Sequence, residues 1–181
     1  RLLLPSPDLA GCVFAAIERD TRGIALSRQD RFNHFPASPL IALTLVLEGT
    51  LNFVQSDGTA VAMPSLFVAG AQNTPSVSFS DGPVHVLTIA IFLDAWMRLT
   101  GKEPQEIQDQ IQLDVPAIFA YLLDITSGSN SSDEVWDRFC YRLLPLWRAK
   151  QAHANWRGKD RVSNWVNALF ARAVLAGRGK S

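Results

Sequence analysis

The sequence predicts an α+β protein, with an antiparallel β sandwich or barrel over residues 1–93 and a helical part after it. Three observations carry this. Leu40–Leu47 is an apolar run broken only by Thr44, and Val84–Leu93 (VHVLTIAIFL) is a second, β-branched one. Short apolar stretches around them are separated by Gly, Pro and Asp turn signals. From Asp94 onward the spacing becomes helical.

Taken in order, Leu2–Leu9 is a Pro-punctuated lead-in, and Cys12–Glu18 (CVFAAIE) reads as a strand that Arg22-Gly23 turns into a short partner, Ile24–Leu26. Arg31–Leu47 (RFNHFPASPLIALTLVL) is the centre. Pro36 and Pro39 bar a helix upstream, because proline lacks a donor and pushes its predecessor towards extended geometry. Glu48-Gly49-Thr50 offers a turn and Leu51–Gln55 a return strand, which predicts a buried central hairpin. Ser56-Asp57-Gly58 turns into Val61–Met63 and Leu66–Val68, short strands separated by Pro64. A loop over Ala69–Pro75, a strand at Val77–Phe79 and a turn at Asp81-Gly82-Pro83 complete the β part.

The helical part begins with Asp94 capping Ala95–Leu99 and Gly101 ending it. Pro104–Ile111 and Pro116–Ile125 each carry Pro near a first turn and are predicted helices. After the link Thr126–Ser132, Asp133 caps a longer helix, kinked at Pro145, with Trp136, Phe139, Leu143 and Trp147 on one face. A polar break at Ala154–Lys159 precedes a last helix from Asp160 to Gly177, whose Val162, Trp165, Val166, Leu169, Phe170 and Ala173 share a face. The organisation expected is a β domain over 1–93, a helical and possible dimerisation region over 94–154, and a linker with one further helix over 155–181.

Net charge is zero, with 17 residues of each sign, but unevenly placed. Residues 142–181 hold nine basic side chains and one acid, Asp160, which leaves eight basic and sixteen acidic before them. An acidic body with a basic tail points to an anionic partner for the tail or to a solvated helical surface. Cys12 and Cys140 form no CxxC pair and read as reduced thiols in a cytoplasmic setting. No apolar run approaches the roughly 20 residues of a membrane span. The first residue is Arg1, no signal-peptide layout follows, and the sequence reads as trimmed.

The three histidines, His34, His85 and His153, have no metal-ligand spacing, and no GxSxG elbow is present, so neither a metal nor a catalytic residue is expected. Gly177–Ser181 resembles the end of a phosphate loop but lacks the leading Gly, where the chain has Val174. For a small ligand in a barrel mouth the wall candidates are Phe32, His34 and Phe35 from the Pro-bounded segment, Arg31 and Glu48 as polar anchors, and His85 from its strand.

FNHFPASPLIALTLVLEGTL, followed by GPVHVLTIAIFLDAWMRLTG, resembles the amino-terminal sensor domain of AraC-type bacterial transcription regulators, and WVNALFARAVLAGRGKS is similar to the entry helix of their DNA-binding domain. The resemblance spans nearly the whole chain. It implies a cupin-like β domain that binds a small-molecule effector, no cofactor and no catalysis. It also implies DNA contact only through helix-turn-helix units beyond Ser181. The apolar face Trp136–Trp147 offers a homodimer surface, and burial of that face against the β domain explains it equally well. The metal-binding His-x-His of enzymatic cupins is absent, since residues 34–36 read His-Phe-Pro. A small cupin-type enzyme and an interaction domain with a filled barrel are the alternatives.

Overall fold

Alternating side chains and turn residues sort residues 1–126 and 131–152, those described by a computed structural model, into ten strands and three α-helices. The strands are β1 (Leu2–Leu3), β2 (Val13–Asp20), β3 (Phe32–Phe35), β4 (Leu40–Glu48), β5 (Leu51–Val54), β6 (Ala60–Ala62), β7 (Leu66–Ala69), β8 (Ser76–Ser80), β9 (His85–Phe92) and β10 (Ile111–Gln112). The helices are α1 (Leu93–Thr100), α2 (Tyr121–Thr126) and α3 (Ser132–Ala152).

The strands form two antiparallel sheets, a larger one in the order β1-β2-β9-β4-β7-β10 and a smaller one in the order β3-β8-β5-β6. With helices on the larger sheet, the class is α+β. No strand pairs from one sheet to the other among the described residues, so the β part is a two-sheet sandwich and not a closed barrel. The chain switches sheets at every connection within the β part except β1 to β2 and β5 to β6.

The expected hairpin between Leu40–Leu47 and Leu51–Gln55 does not form. Both edges of β4 are taken inside the larger sheet, by β9 and β7, so β5 has no edge to join and pairs with β6 and β8 instead. Glu48-Gly49-Thr50 is therefore a corner between sheets. Gly49 has φ +85°, and a Cβ there would lie 2.4 Å from the Pro83 carbonyl oxygen and 2.9 Å from Val84 Cγ1. The second corner, Asp81-Gly82-Pro83, thus packs directly on the first. Thr21 closes the junction: its hydroxyl accepts from the Val84 N–H at 2.8 Å, and its own N–H donates to the Val84 carbonyl at 2.9 Å.

Parity then divides the larger sheet. Ile41, Leu43 and Leu45 stand opposite Ile91, Ile89 and Leu87, and all six are buried beneath the helices with Trp96, Phe119, Phe139 and Trp147. Trp96 stacks on Phe119 at 5.3 Å, and Phe139 continues the pile at 6.3 Å from Phe119. Helices and larger sheet share this one core.

Other expectations are corrected by tertiary pairing. Ile24–Leu26 is not a strand; β2 finds its partners in β1 and β9. Pro104–Ile111 forms only a 3₁₀ turn at Pro104–Glu106, because Asp109 takes φ 53° and turns Ile111–Gln112 onto the edge of β7. Over the predicted helix Pro116–Ile125, Ala117–Phe119 is 3₁₀ and α2 begins only at Tyr121. Gly101, at φ 75°, ends α1 as expected, whereas Phe92 and not Asp94 holds the cap position. Ser131 caps α3 in place of Asp133: its hydroxyl accepts from the Glu134 N–H at 3.2 Å, and the Glu134 carboxylate accepts from the Ser131 N–H at 3.3 Å. The predicted final helix from Asp160 and the break before it lie outside the described residues.

The corner junction makes a prediction that a neighbouring glycine calibrates. Gly58 has the same φ of +85° but nothing within 4 Å of a built Cβ. Gly58→Ala should cost about 1 kcal/mol, the left-handed backbone penalty alone, and Gly49→Ala about 3 kcal/mol, because the corner must also move. Urea midpoints at unchanged m-value measure both. Equal losses would show that the corners do not touch.

Candidate functional site

The even-numbered side chains of β4 face the smaller sheet, and they change character along the strand. At the corner end Val46, Phe67, Val86 and Val84 meet Leu51 of β5, with Met63 and Ile111 against them, and the sheets close. Farther along, the residues become small: Thr44 stands opposite Thr88, and Ala42 lies between Ala90 and Ala69. Ala42, Ala90 and Thr88 sit on central strands, yet remain partly exposed to solvent. Sheets pack about 10 Å apart, and methyl groups on one side do not fill that distance. The sandwich therefore opens into a cleft over the alanines.

Register gives the opposite wall. Asn33, Ser78 and Phe53 form one row of the smaller sheet, and Ser80 pairs with Leu51 on the same face. Asn33 donates to the Ser78 hydroxyl at 3.2 Å. Phe35, two residues on from Asn33, is 44% exposed at this edge, and Ile17 of β2 is 49% exposed. The lining is thus small and apolar, with hydroxyls, an amide and exposed aromatic and aliphatic groups at its rim.

Of the residues singled out from sequence, Phe35 alone falls on this face. Phe32 and His34 have the opposite parity; Phe32 packs on Phe79 at 4.7 Å on the outer surface, and His34 is exposed there. Arg31 donates to the Asp81 carbonyl at 2.5 Å, binding β3 to the second corner. Glu48 is exposed at the first corner and pairs with Arg22 at 2.9 Å. His85 is buried, but on the helix side. The sequence missed Asn33, Thr44, Thr88, Ser80 and Arg19. The triplet Glu18-Arg19-Asp20 held a signal for the last: three charges in succession on a strand must send at least one to each face.

Arg19 is the one of the three that turns towards the smaller sheet. It stands beside Val86 in the ladder, and its Nη2 donates to the Asp30 carbonyl at 3.0 Å. Its Nη1 is buried without a hydrogen-bond partner, as is the Ser80 hydroxyl. Burial lowers the Arg19 pKa from its ordinary value, though an arginine remains charged.

Glu18 turns the other way. Its Oε1 accepts from the Ser132 hydroxyl and lies 2.9 Å from His85 Nε2, and its Oε2 is 2.7 Å from Arg1 Nε. Arg1 also donates to Asp133 at 2.9 Å. Ser, His and Glu are the residue types of a hydrolase triad, but here the carboxylate is central and takes both hydrogen bonds. This arrangement does not deprotonate Ser132. It clamps β1, β2 and β9 to the start of α3. Burial would push the Glu18 carboxyl up, but hydrogen bonds from Ser132 and His85 and the charge of Arg1 outweigh it and hold the group below its ordinary value.

Trp136, Phe139, Leu143 and Trp147 lie at 8%, 0%, 1% and 2% exposure inside the chain's own core. The apolar face expected to form a dimer is thus already covered, because α3 lays it on α1, α2 and the Pro7–Leu9 turn. Both cysteines are free, and burial pushes each thiol up to about 12, far from a reactive thiolate. Among the described residues no group of three or more His, Cys, Asp and Glu is placed to hold a metal ion, and no helix is long and apolar enough to cross a membrane. No family model matches the chain, and no curated protein matches it.

The Glu18 clamp predicts a pH dependence. The folded carboxyl titrates below its ordinary value of 4.5, so its stabilisation is complete above that pH and is lost as pH falls through the folded value. Glu18→Gln should cost about 1–3 kcal/mol at pH 7 and flatten the acid limb of the stability curve. Denaturant titrations from pH 7 to pH 3 measure both; parallel curves for the two proteins would rule the clamp out.

Proposed function

We propose that this chain is the ligand-sensing part of an AraC-type bacterial transcription regulator and acts by binding, not by catalysis. In this reading a small molecule enters between the two sheets of a cupin-like domain. The helices after β9 pass its presence to helix-turn-helix units in chain beyond Ser181, and only those units contact DNA. The setting would be the bacterial cytoplasm.

The observation that carries the reading is the two-sided use of β4 and β9. Their even-numbered residues floor a solvent-accessible cleft, and their odd-numbered residues are packed under α1 and α2, on which α3 lies. A ligand that shifts these strands presses on the core the helices share, which couples cleft to helix without a long relay. The resemblance of residues 32–51, 82–101 and 165–181 to the same regulators supports it independently. A homodimer through the Trp136–Trp147 face is not part of the proposal, since that face is buried within one chain.

The test is DNA binding by residues 1–181 beside a form extended by about 100 residues, a typical domain length. The extended form should bind selected sequences with an affinity that falls steeply with salt, and the shorter form should not. Absence of sequence-selective binding by the extended form would contradict the assignment.

A further inference from the structure

We infer that residues 108–114 form a latched strap: they cover the outer edge of β7, the Asp109 carboxylate on Asn73 holds them shut, and they open as one unit while β4 and β9 stay paired. The inference goes beyond the reading of the cleft and does not depend on it.

Both ends of the strap are fixed in the helix-side core, where Ile107 and Phe119 are 0% and 1% exposed. Gly70 makes the first anchor possible. A Cβ there would lie 1.6 Å from the Ile107 carbonyl oxygen, so any other residue would push Ile107 out. Between the anchors the chain is held lightly. β10 has only two residues, Ile111 and Gln112, both half-buried and paired with Ala69 and Val68. Leu113 and Asp114 after them are exposed.

The strap bends at Asp109, the one non-glycine among the described residues with a positive φ, at 53°. Side chains populate that region sparsely and hold it where surrounding contacts enforce it. Here the contacts come from the loop after β7. The Asp109 carboxylate accepts from the Asn73 N–H at 2.7 Å and from Asn73 Nδ2 at 2.9 Å, both at the surface. The Asp109 N–H donates to the Ala71 carbonyl at 2.8 Å, and the Gln110 carbonyl accepts from the Gly70 N–H at 2.9 Å. On the helix side Lys102 Nζ donates to Gln112 at 2.7 Å, and Gln112 donates to the Glu106 carbonyl at 2.7 Å.

Segments that open below the global unfolding free energy are those with few buried contacts and solvent-exposed hydrogen bonds. The strap fits that description and its two anchors do not. Its release frees the Val68–Ala69 edge of β7 and lifts Ile111 from the cluster of Val46, Phe67 and Val86, while the aliphatic side chains under the helices keep their cover. A bare strand edge is a template for another strand, and the closed strap denies it.

The experiment is native-state hydrogen exchange on residues 1–181, read by NMR at urea concentrations below the unfolding transition. In the wild type the Gly70 and Asp109 amides should share one opening constant, about ten-fold or more above that of the β4 and β9 amides and insensitive to urea. Asp109→Gly removes the carboxylate and leaves the backbone free to keep its φ; it should raise both constants together by about ten-fold. Asn73→Ala, which removes one of the two donors to that carboxylate, should raise them by less. The Ser38 amide, which donates to the Gln72 carbonyl of the same loop at 2.9 Å, should keep its rate in both variants. Wild-type Gly70 and Asp109 amides that exchange only with those of β4 and β9 would overturn the strap as a separate unit. An unequal response of the two amides to Asp109→Gly would do the same. No acceleration in that variant, or acceleration of Ser38 in step with them, would refute the latch.

Discussion

The pairing of β4 with β9 is the constraint on which the rest depends. The two strands run antiparallel from Leu40↔Phe92 to Val46↔Val86 without a break, at the centre of the larger sheet. Once that register is set, β2 adds to the free edge of β9 and β7 to that of β4. Both edges are then consumed, and the chain must leave the sheet at each corner. The smaller sheet is assembled from the segments that leave. A slip of one residue would exchange Ile41, Leu43 and Leu45 for Ala42, Thr44 and Val46, putting isoleucine and leucine in the cleft and threonine under the helices.

What fixes the helices on one face is aromatic volume. Trp96, Phe119, Trp136, Phe139 and Trp147 together cover the odd-numbered aliphatic side chains, and each aromatic removes roughly 150–250 Å² from water. At about 25 cal/mol per Å² such burial is worth several kcal/mol per ring before entropy is counted, which no surface ion pair matches. The Glu18 clamp is smaller in energy but specific in place, joining the first turn of α3 to β2. The opposite face has no such filling. The same two strands thus carry a closed core on one side and an open cleft on the other, and function is assigned to the side where packing is incomplete.

The sequence disclosed the elements better than their partners. The runs at Leu40 and Val84 announced interior strands correctly, because helices cover one of their faces and the smaller sheet stands opposite the other, so neither face calls for charged side chains. The same property concealed the topology, since a continuous apolar run does not say which strand lies beside it, and proximity wrongly suggested β5. Gly49 read as a hairpin turn; only the closeness of Pro83 makes it a corner. For the site, the Pro-bounded segment points to Phe32, His34 and Phe35 together as a rim, whereas parity within β3 decides which face each takes. Parity is invisible until the Phe32↔Phe79 register is known. Arg19 escapes a reading that ends the strand at Glu18, since β2 runs on to Asp20 and only a residue inside a strand is assigned a face.

The central claim is that β4 and β9 are packed on one face and open on the other, and cavity filling on the two faces tests it most directly. Ala90→Leu places new methyl groups in the cleft, and Ala16→Leu places them in the helix-side core, where Ala16 is fully buried. The account predicts that Ala90→Leu changes stability by less than about 0.5 kcal/mol, while Ala16→Leu costs about 1–3 kcal/mol through overpacking. Equal destabilisation by the two substitutions, read from urea unfolding of each variant, would show that the sheets are packed together over Ala90 and that the cleft does not exist.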